Sequence, residues 1–472
     1  MDDGKTIQSP GRRKLLKRIG LTGAGGIAGL AIVNGVAPFV VAEDTVFDDN
    51  HSYWSLALPL PRPPLQRDID VDVAIVGGGF TGLSTAYYMS KTLPGKRIAV
   101  FEARGCGNGA SGRNGAMVLN LKNSSVSAEV CRRLYQLTVD NVQSIRALSA
   151  ATGIDCELEQ NGALTVASTA DELREAQADL DRLRSMGLPL EFLNKDEVHE
   201  TLGVNAYEAG ILDPNAGQVH PGKLVRLWKT VALAAGVQIY ENTPVQSIEE
   251  GAVHKLTTVE GRKIRAPALV IATNAYTSKL GLLRSAVAPI TNYVGITPVL
   301  DGERLAALGW KGAVPFNDSR REVYYAGLTR DRRIHFGGGP VDYAFNNGMG
   351  DPPLAAQRYA SLHREFARIF PSLADIKFER TWSGFVDVSL DQSPTVGQMG
   401  RHHNIFYAIG YSGEGVNLTS VFGRVIADLA AGWQEQWAWF PYLYRRPPYI
   451  PNEPLRWLAI EGDLAYTRLI GA

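Results

Sequence analysis

The feature that most constrains the fold is a glycine-rich turn within DVAIVGGGFTGLSTAYYMSK, residues 72–91. The apolar run at 71–76 predicts a buried strand, and the amphipathic stretch after the glycines predicts a helix. Gly77 permits the tight turn, Gly79 lets the backbone approach a pyrophosphate, and Gly82 lets helix and strand pack closely. The helix N-terminus then offers unpaired N–H groups and a partial positive charge to phosphates. This segment predicts an α/β fold with a dinucleotide site.

A second predicted strand, RIAVFEA, places an acidic residue where a dinucleotide ribose is bound. Glu102 lies about twenty residues beyond Gly82, which is the usual distance between the third glycine and the ribose-binding acid. A carboxylate at this position accepts hydrogen bonds from both ribose hydroxyls and repels a 2′-phosphate. NADP is therefore excluded, whereas NAD and FAD both remain open from these residues alone.

The first 42 residues have the pattern of an export signal. The basic residues come first, no charge occurs from Gly20 to Ala42, and the segment ends in small residues. The pair Arg12-Arg13, followed by a weakly hydrophobic, glycine-rich middle, is typical of a twin-arginine signal. We expect export by the twin-arginine machinery to the periplasm, and both cleavage after Ala42 and retention as an anchor stay open. The alternative is retention in the inner membrane, because residues 19–42 are long enough to span a bilayer as an anchor.

The charge balance and the cysteines exclude other classes of function. Lysine plus arginine equals aspartate plus glutamate at 48 each, and the excess of basic residues in the first 42 leaves the rest mildly acidic. An acidic body argues against nucleic acid as a partner. Cys106, Cys131 and Cys156 have no metal-ligand spacing, so no metal site is predicted. The prolines of the connector at 43–71 exclude a helix interior there.

After the ribose-binding acid, residues 102–118 form a loop rich in glycine and serine, EARGCGNGASGRNGAMV. With this loop the sequence resembles the glycine oxidase/D-amino acid oxidase family of FAD-dependent oxidoreductases, most closely the branch of gamma-glutamylputrescine oxidoreductase. Ala116 stands where that branch has the last glycine of GASGRNGG. The resemblance spans about residues 50–445, and six further segments follow in the family's order: AGQVHPGKLVRLW, NTPVQSIE, LVIATNAYTSKL, RRIHFGGGP, WSGFVDVSLDQSPTVG and NIFYAIGYSGEGVNLTSVFGRVIADLAAG.

The resemblance implies FAD as a non-covalent cofactor, with residues assigned to both halves of the molecule. In the ADP half these are Gly77, Gly79, Phe80, Thr81, Gly82, Glu102 and Arg104, with Val245 of an edge strand at the adenine. Beside the isoalloxazine these are Ala110, Ser111, Gly112, Arg113, Asn114, Gly115, Gly384, Gly413, Gly415, Val416 and Asn417. A closing helix that starts near Asn417 is expected to direct its N-terminal amides at the flavin.

The implied architecture is a Rossmann-like FAD-binding domain with an inserted substrate domain, an α+β unit built on an antiparallel sheet. The substrate domain is expected at 160–215 and 285–375, where alternating or apolar runs predict strands that form a roof over the flavin. The other expected segments are 1–42 as signal or anchor, 43–71 as connector, 72–159, 216–284 and 376–432 as FAD-binding domain, and 433–472 as C-terminal extension.

The implied reaction is oxidation of a C–N bond in an amine or amino acid, by hydride transfer to flavin N5 with formation of an imine. A desolvated aromatic pocket would keep the substrate amine neutral, and Tyr293, Tyr324 and Tyr325 on the predicted roof strands are the candidates. Glu414 stands where relatives have histidine in GYSGHGV, so it either holds a cationic amine or points to solvent.

The electron acceptor and the class of function stay open at this level. Because only one dinucleotide fingerprint is present, the substrate is expected to reduce the flavin directly. The electrons then pass either to oxygen or to membrane quinone. The alternative from another class is a catalytically silent flavin-binding protein that serves as an assembly or interaction subunit.

Overall fold

The computed structural model describes residues 51–349 and 353–470. The predicted signal or anchor at 1–42 and the first part of the connector lie outside the described residues. Within the described ranges, no helix combines the length and the apolar character needed to cross a membrane.

The strands of the described chain are short, and most of them belong to three sheets. In chain order they are β1 (Ile69–Asp70), β2 (Val73–Val76), β3 (Ile98–Phe101), β4 (Met117–Val118), β5 (Ala163–Ala167), β6 (Glu191–Asn194), β7 (Ala209–Asp213), β8 (Gly217–Gln218), β9 (Gln238–Tyr240), β10 (Val245–Glu249), β11 (His254–Thr258), β12 (Lys263–Ala266), β13 (Ala268–Ile271), β14 (Ala288–Ile296), β15 (Phe316–Asp318), β16 (Tyr324–Leu328), β17 (Ile334–Gly338), β18 (Arg380–Val388), β19 (Thr395–Met399) and β20 (Ile405–Ile409).

The α-helices are α1 (Phe80–Thr92), α2 (Ala128–Thr152), α3 (Ala170–Ser185), α4 (Lys195–Leu202), α5 (Pro221–Ala234), α6 (Gly302–Leu308), α7 (Ala355–Ile369), α8 (Gly415–Ala430) and α9 (Leu455–Ile470). Short 3₁₀ helices lie at Tyr53–Ala57, Ala110–Gly112, Asn274–Leu280, Phe345–Asn347, Pro371–Leu373 and Gln434–Trp437.

The parallel sheet, in the order β19-β20-β13-β2-β3-β9, forms the centre of the first domain. Its neighbouring strands run parallel except β19, which pairs antiparallel with β20. Helices α1, α5 and α8 cover one face, against which Val73, Ile75 and Val100 pack. The backing sheet, in the order β1-β12-β11-β10, covers the other face, where Ala74 and Val76 pack. Because both faces are covered, β2 is buried at every position.

The roof sheet, in the order β18-β14-β17-β16-β15-β5-β7-β6, forms the second domain. The chain enters it twice from the first domain, once for β5–β7 and once for β14–β18, so this domain is an insertion. One face carries an aromatic core beneath α7 that includes Phe316, Phe336, Phe366 and Phe370. The predicted fold class, a Rossmann-like α/β domain with an inserted sheet domain, is confirmed.

Two details of the prediction were wrong. The roof sheet is not purely antiparallel, because β5 and β15 pair in parallel with Phe316 opposite Leu164. These two strands come from separate insertions and no hairpin joins them, so nothing requires the antiparallel direction. Strand β18 was expected in the FAD-binding domain within 376–432, but it pairs with β14 from Ile296 opposite Arg380 to Ala288 opposite Val388.

Candidate active site

The glycine turn lies between β2 and α1, where several atoms approach too closely for side chains. Gly77 has a φ of +108°, and a Cβ on it would be 2.5 Å from the carbonyl oxygen of Ala272. A Cβ on Gly82 would overlap the carbonyl oxygen of Gly77. Helix α1 begins at Phe80, and Gly79 before it provides no side-chain cap. The turn therefore places no capping side chain of its own at the helix N-terminus, where a phosphate group binds.

Two distant segments meet at the start of α1. The backbone N–H of Phe80 donates to Ser111 Oγ at 2.8 Å. Thr81 Oγ1 lies 2.9 Å from the hydroxyl of Tyr411, which precedes α8. The loop that contains Ser111 and the segment before α8 thus border the same helix N-terminus, as the assignment of both to one cofactor requires.

Glu102 joins the turn to the loop that follows β3. Its Oε2 accepts the N–H of Gly78 at 2.6 Å, and its Oε1 accepts the N–H of Arg104 at 3.0 Å. Burial raises the pKa of Glu102 above its ordinary value, and the hydrogen bonds from Arg104 and Gly78 oppose this. A carboxylate has lone pairs beyond these two bonds, so acceptors remain for ribose hydroxyls.

A buried ion pair lies behind the adenosine side of the site. Lys229 Nζ is 2.5 Å from Glu241 Oε2, and the side chains are 3% and 0% exposed. Glu241 Oε1 accepts the N–H of Cys106 at 2.6 Å. The thiol of Cys106 is buried against Gly78, and burial raises its pKa. This cysteine packs against the glycine turn, next to Glu102.

The loop at 110–115 holds its shape through its own polar side chains. Asn114 Nδ2 donates to the carbonyl oxygens of Ala110 at 3.2 Å and Ser111 at 2.9 Å. Arg113 is buried, and its Nε donates to the carbonyl oxygen of Asn108 at 2.8 Å. Burial lowers the pKa of Arg113 from its usual high value. The shape of the loop is therefore stabilised by hydrogen bonds within the protein.

The roof sheet touches this loop at two points. A Cβ on Gly115 would overlap the ring of half-buried Tyr325, and one on Gly337 would overlap the same ring. On β18, a Cβ on Gly384 would be 3.2 Å from Arg113 Cβ. Tyr325, Gly115 and Gly384, all predicted site residues, are therefore brought together.

The structure does not bring the other two tyrosines to the loop. The Tyr293 hydroxyl donates to Asp342 Oδ2 at 2.6 Å and the residue is 1% exposed. Tyr324 stacks on Phe336 within the aromatic core, with ring centroids 5.7 Å apart. Because successive side chains of a strand alternate, Tyr324 faces away from Tyr325.

The closing helix begins earlier than predicted. Helix α8 starts at Gly415 rather than near Asn417, and Glu414 is its exposed N-terminal flanking residue. The side chain of Asn417 is fully used within the protein. Its Nδ2 donates to the carbonyl oxygens of Leu119 at 3.1 Å and Thr138 at 3.2 Å, and its Oδ1 accepts Asn141 Nδ2 at 2.8 Å. Only the backbone of Asn417 is left to face a cofactor.

Three other predicted residues lie at the edges of the site. Gly413, with a φ of +96°, is exposed in the turn before α8, and Val416 is buried in its first turn. Val245 is the first residue of β10, the edge strand of the backing sheet. Its edge position agrees with the sequence analysis, and its contact with adenine stays a prediction.

Asp387 is a buried acid that the sequence analysis missed. It lies at the end of β18, where its Oδ2 accepts the N–H of Gly410 at 2.5 Å and its Oδ1 accepts Asn274 Nδ2 at 3.1 Å. Burial raises the pKa of Asp387 to about 7. This side chain connects the roof sheet to the turn before α8. The sequence feature that could have identified it is an acidic residue at a buried position of the alternating segment WSGFVDV.

A small polar cavity lies beside the loop. Its volume is about 20 Å³, and its wall includes Trp54, Ala116, Gln218, His220 and His335. His335 is fully buried, and neither ring nitrogen has a hydrogen-bond partner in the described part of the chain. Burial lowers the pKa of His335 to about 3. A cavity of this size holds a water molecule and not a substrate.

These residues fit an elongated dinucleotide. The side-chain-free turn and Glu102 suit an ADP half, and the loop at 110–115 beneath Tyr325 suits a flat ring system. Fold and site together define the class of two-domain proteins that bind a dinucleotide cofactor. Residues 72–429 match the family described as FAD dependent oxidoreductase, DAO, so the chain belongs to that family and its cofactor is FAD.

Individual relatives agree with this membership. The chain is 30% identical over 397 residues to probable oxidoreductase OrdL of Rhizobium meliloti, over 81% of this chain and 88% of that protein. It is 29% identical over 399 residues to gamma-glutamylputrescine oxidoreductase of Escherichia coli, over 82% and 90% respectively. Its fold is similar to that of glycine oxidase from Geobacillus kaustophilus, with a TM-score of 0.69 and 24% identity over 80% and 99% of the two chains. The predicted family is confirmed, and so is FAD as its cofactor.

Proposed function

We propose that the protein oxidises the C–N bond of an amine or an amino acid to an imine. The observation that carries this proposal is the contact of Tyr325 with Gly115, which sets the roof sheet directly over the loop assigned to the flavin ring. The similarity to gamma-glutamylputrescine oxidoreductase supports a substrate with an amine nitrogen.

When bound, FAD supplies the acceptor for the hydride, at flavin N5. The chain's own residues bind the cofactor and orient it. Glu102 and the glycine turn hold the ADP half, and Arg113 places a buried positive charge within the loop. The N-terminus of α8 adds the partial positive charge of a helix. Both positive groups favour negative charge on the ring system.

The surroundings of Tyr325 favour a neutral amine. Trp54, Ala116, Val294 and Trp382 form a buried cluster with Tyr325 packed against it. Desolvation in such a pocket lowers the pKa of a bound amine, so no separate base has to remove its proton. We assign Tyr325 to the substrate side, whereas Tyr293 and Tyr324 support the roof by packing. Glu414, exposed before α8, is the candidate for attracting a cationic amine.

The proposal includes non-covalent FAD. A covalent link through cysteine needs a thiolate within reach of the ring. Cys106 instead lies against Gly78 on the adenosine side, and burial raises the pKa of its thiol. Both observations support a cofactor held by hydrogen bonds and packing alone.

The proposal also includes export. The Arg12-Arg13 pattern supports a twin-arginine signal, and that route carries folded proteins with their cofactors in place. The enzyme would then act in the periplasm or at the inner membrane, with oxygen or membrane quinone as the electron acceptor.

Flavin bleaching tests the reaction. The purified protein should be yellow and release FAD on acid precipitation, and at least one member of a panel of amines and amino acids should bleach the flavin band without oxygen. Hydrogen peroxide formed in air would identify oxygen as the acceptor, and its absence would favour quinone. FAD-loaded protein that no panel member bleaches would instead support the silent subunit.

Adjacent tyrosines provide a matched control. Tyr325→Ala should slow flavin bleaching by about tenfold or more, because it removes the side chain that packs over the loop. Tyr324→Phe lies on the other face and should remain within about twofold of the parent. Equal effects of the two changes would contradict the assignment of Tyr325.

A further inference from the structure

Residues 52–65, here called the strap, precede the family match that begins at residue 72. The strap runs antiparallel to the loop that follows Glu102. The start of the strap contacts residues 112–114, and its later part contacts residues 105–107. The strap therefore covers the loop from its flavin end to its adenosine end.

Two buried side chains of the strap hold carbonyl groups of the loop. Ser52 Oγ donates to the carbonyl oxygen of Gly112 at 2.5 Å. Trp54 Nε1 donates to the carbonyl oxygen of Asn114 at 2.9 Å. Both side chains are 1% exposed, so neither bond competes with bulk water.

The carbonyl group between these two is held from the roof sheet. Trp382 Nε1 donates to the carbonyl oxygen of Arg113 at 2.9 Å. Because these peptide bonds are trans, the N–H groups of Asn114 and Gly115 point away from the tryptophan donors. In the described ranges neither N–H has a protein acceptor, which leaves both donors for a ligand.

The ring of Trp54 is fixed by its neighbours. Its centroid lies 5.1 Å from that of His220, 5.5 Å from that of His335 and 6.2 Å from that of Trp382, each in an edge-to-face arrangement. The indole therefore joins the loop to both the first domain and the roof sheet.

The later part of the strap is anchored on the adenosine side. The N–H of Arg62 donates to Glu241, the buried acid that also accepts the N–H of Cys106. A Cβ on Gly107 would be 2.8 Å from a methyl group of Leu58. Strap and loop thus share one carboxylate and one tight packing contact.

We propose that the strap is part of the FAD site, and that Ser52 and Trp54 are positioning residues of the loop. Trp54 turns the N–H group of Gly115 toward the cofactor, and Ser52 fixes the preceding part of the loop at the carbonyl group of Gly112. The inference rests on the proposed placement of this loop beside the isoalloxazine. The strap acts on the cofactor through the loop. Removing the hydrogen bonds between strap and loop should therefore lower the affinity for FAD and change the flavin spectrum, while the fold remains.

Three substitutions test this role. Trp54→Phe keeps the ring contacts and removes the Nε1 donor, and Ser52→Ala removes the other donor. Tyr53→Phe is the matched control, since its hydroxyl bonds to Asp331 of the roof at 2.6 Å and not to the loop. FAD is titrated into each apoprotein, the visible spectrum of the bound flavin is recorded, and thermal unfolding is followed with and without FAD.

Each single change at Ser52 or Trp54 should weaken FAD binding about threefold to tenfold, and the double change about tenfold to a hundredfold, with a shifted flavin spectrum. Tyr53→Phe should stay within about twofold of the parent. A double variant with the parent's affinity and spectrum, whatever its loss of thermal stability, would overturn the proposal. Should Trp54→Phe fail to fold, Ser52→Ala decides alone. The parent is titrated first, so its failure to bind FAD would refute the cofactor site rather than the strap.

Discussion

Glu102 accepts backbone N–H groups from two sides, Gly78 of the glycine turn and Arg104 of the following loop. One carboxylate thereby fixes the distance between the phosphate-binding turn and the start of the loop that leads to the flavin. A ribose bound here would meet an acceptor that is already oriented, so little side-chain entropy is lost on binding.

Replacing Glu102 tests this site directly. Glu102→Ala should weaken FAD binding about tenfold to a hundredfold, because a charged acceptor of two ribose hydroxyls is lost. Glu102→Gln should fall between alanine and the parent, since it keeps one oxygen but turns an amide NH₂ toward a backbone donor. FAD titration measures the effect, and circular dichroism controls for folding. If both variants bind FAD as the parent does, Glu102 is not the ribose ligand.

His335 should make stability depend on pH. Burial lowers its pKa from 6.5 to about 3, so between these values the unfolded chain binds a proton that the folded chain does not. The free energy of unfolding contributed by this residue is therefore lost as pH falls below 6.5. His335→Leu removes this proton uptake and an unpaired buried polar group.

Thermal unfolding at about pH 7 and about pH 5 checks the prediction, and the variant's melting temperature should fall less than the parent's between them. Parallel falls in both proteins would show that His335 is protonated in the folded state as readily as in the unfolded one.

Some of these residues could be named from the sequence and others could not. The spacing from Gly82 to Glu102 is set by one local strand–turn–helix–strand unit, so it is visible in the chain. The choice between Tyr324 and Tyr325 depends on which face of β16 the core under α7 covers, and two adjacent tyrosines do not reveal it. Trp54 belongs to no motif, and its partner Trp382 is far along the chain.

At the scale of elements, the strands of the parallel sheet were predictable because burial on both faces makes them continuously apolar. Strand β18 was expected in the FAD-binding domain, but it links the two domains. It pairs with β14 of the roof sheet along its whole length, and Asp387 near its end binds Gly410 of the first domain. Local pattern does not show which sheet such a strand joins.

The contact between loop and roof can be tested by overpacking. Gly115→Ala would drive a methyl group into the Tyr325 ring, and Gly115 does not have a positive φ, so the effect is steric. We expect a loss of about 1–3 kcal/mol in the free energy of unfolding. Adding Tyr325→Ala should relieve the steric part, which a double-mutant cycle measures as a coupling of about 1 kcal/mol or more.

Gly302→Ala is the control for this series, since nothing lies within 4 Å of a Cβ at that helical position. Its stability should match or exceed that of the parent. Additive effects of Gly115→Ala and Tyr325→Ala on the free energy of unfolding would show that the loop and the roof sheet are not in tight steric contact.

At the scale of the whole molecule, the predicted export signal can be tested apart from the fold. Replacing Arg12 and Arg13 by lysine keeps the charge but removes the residue pair that the twin-arginine route recognises. The variant should remain in the cytoplasm with FAD bound, as cell fractionation and the flavin spectrum would show. Delivery to the periplasm or membrane as in the parent would mean that another route reads this segment.

The position of the strap also sets an order of events during synthesis. Trp54 leaves the ribosome early, but its neighbour Trp382 is made only when most of the chain has emerged. The indole therefore cannot dock fully until β18 has been translated, although the glycine turn and Glu102 are complete long before. A nascent chain that ends before β18 would contain the adenosine half of its site, but its loop would lack the contacts with Trp382 and the fully docked Trp54. Closing the strap is a late step, and it joins the beginning of the folded chain to a strand near its end.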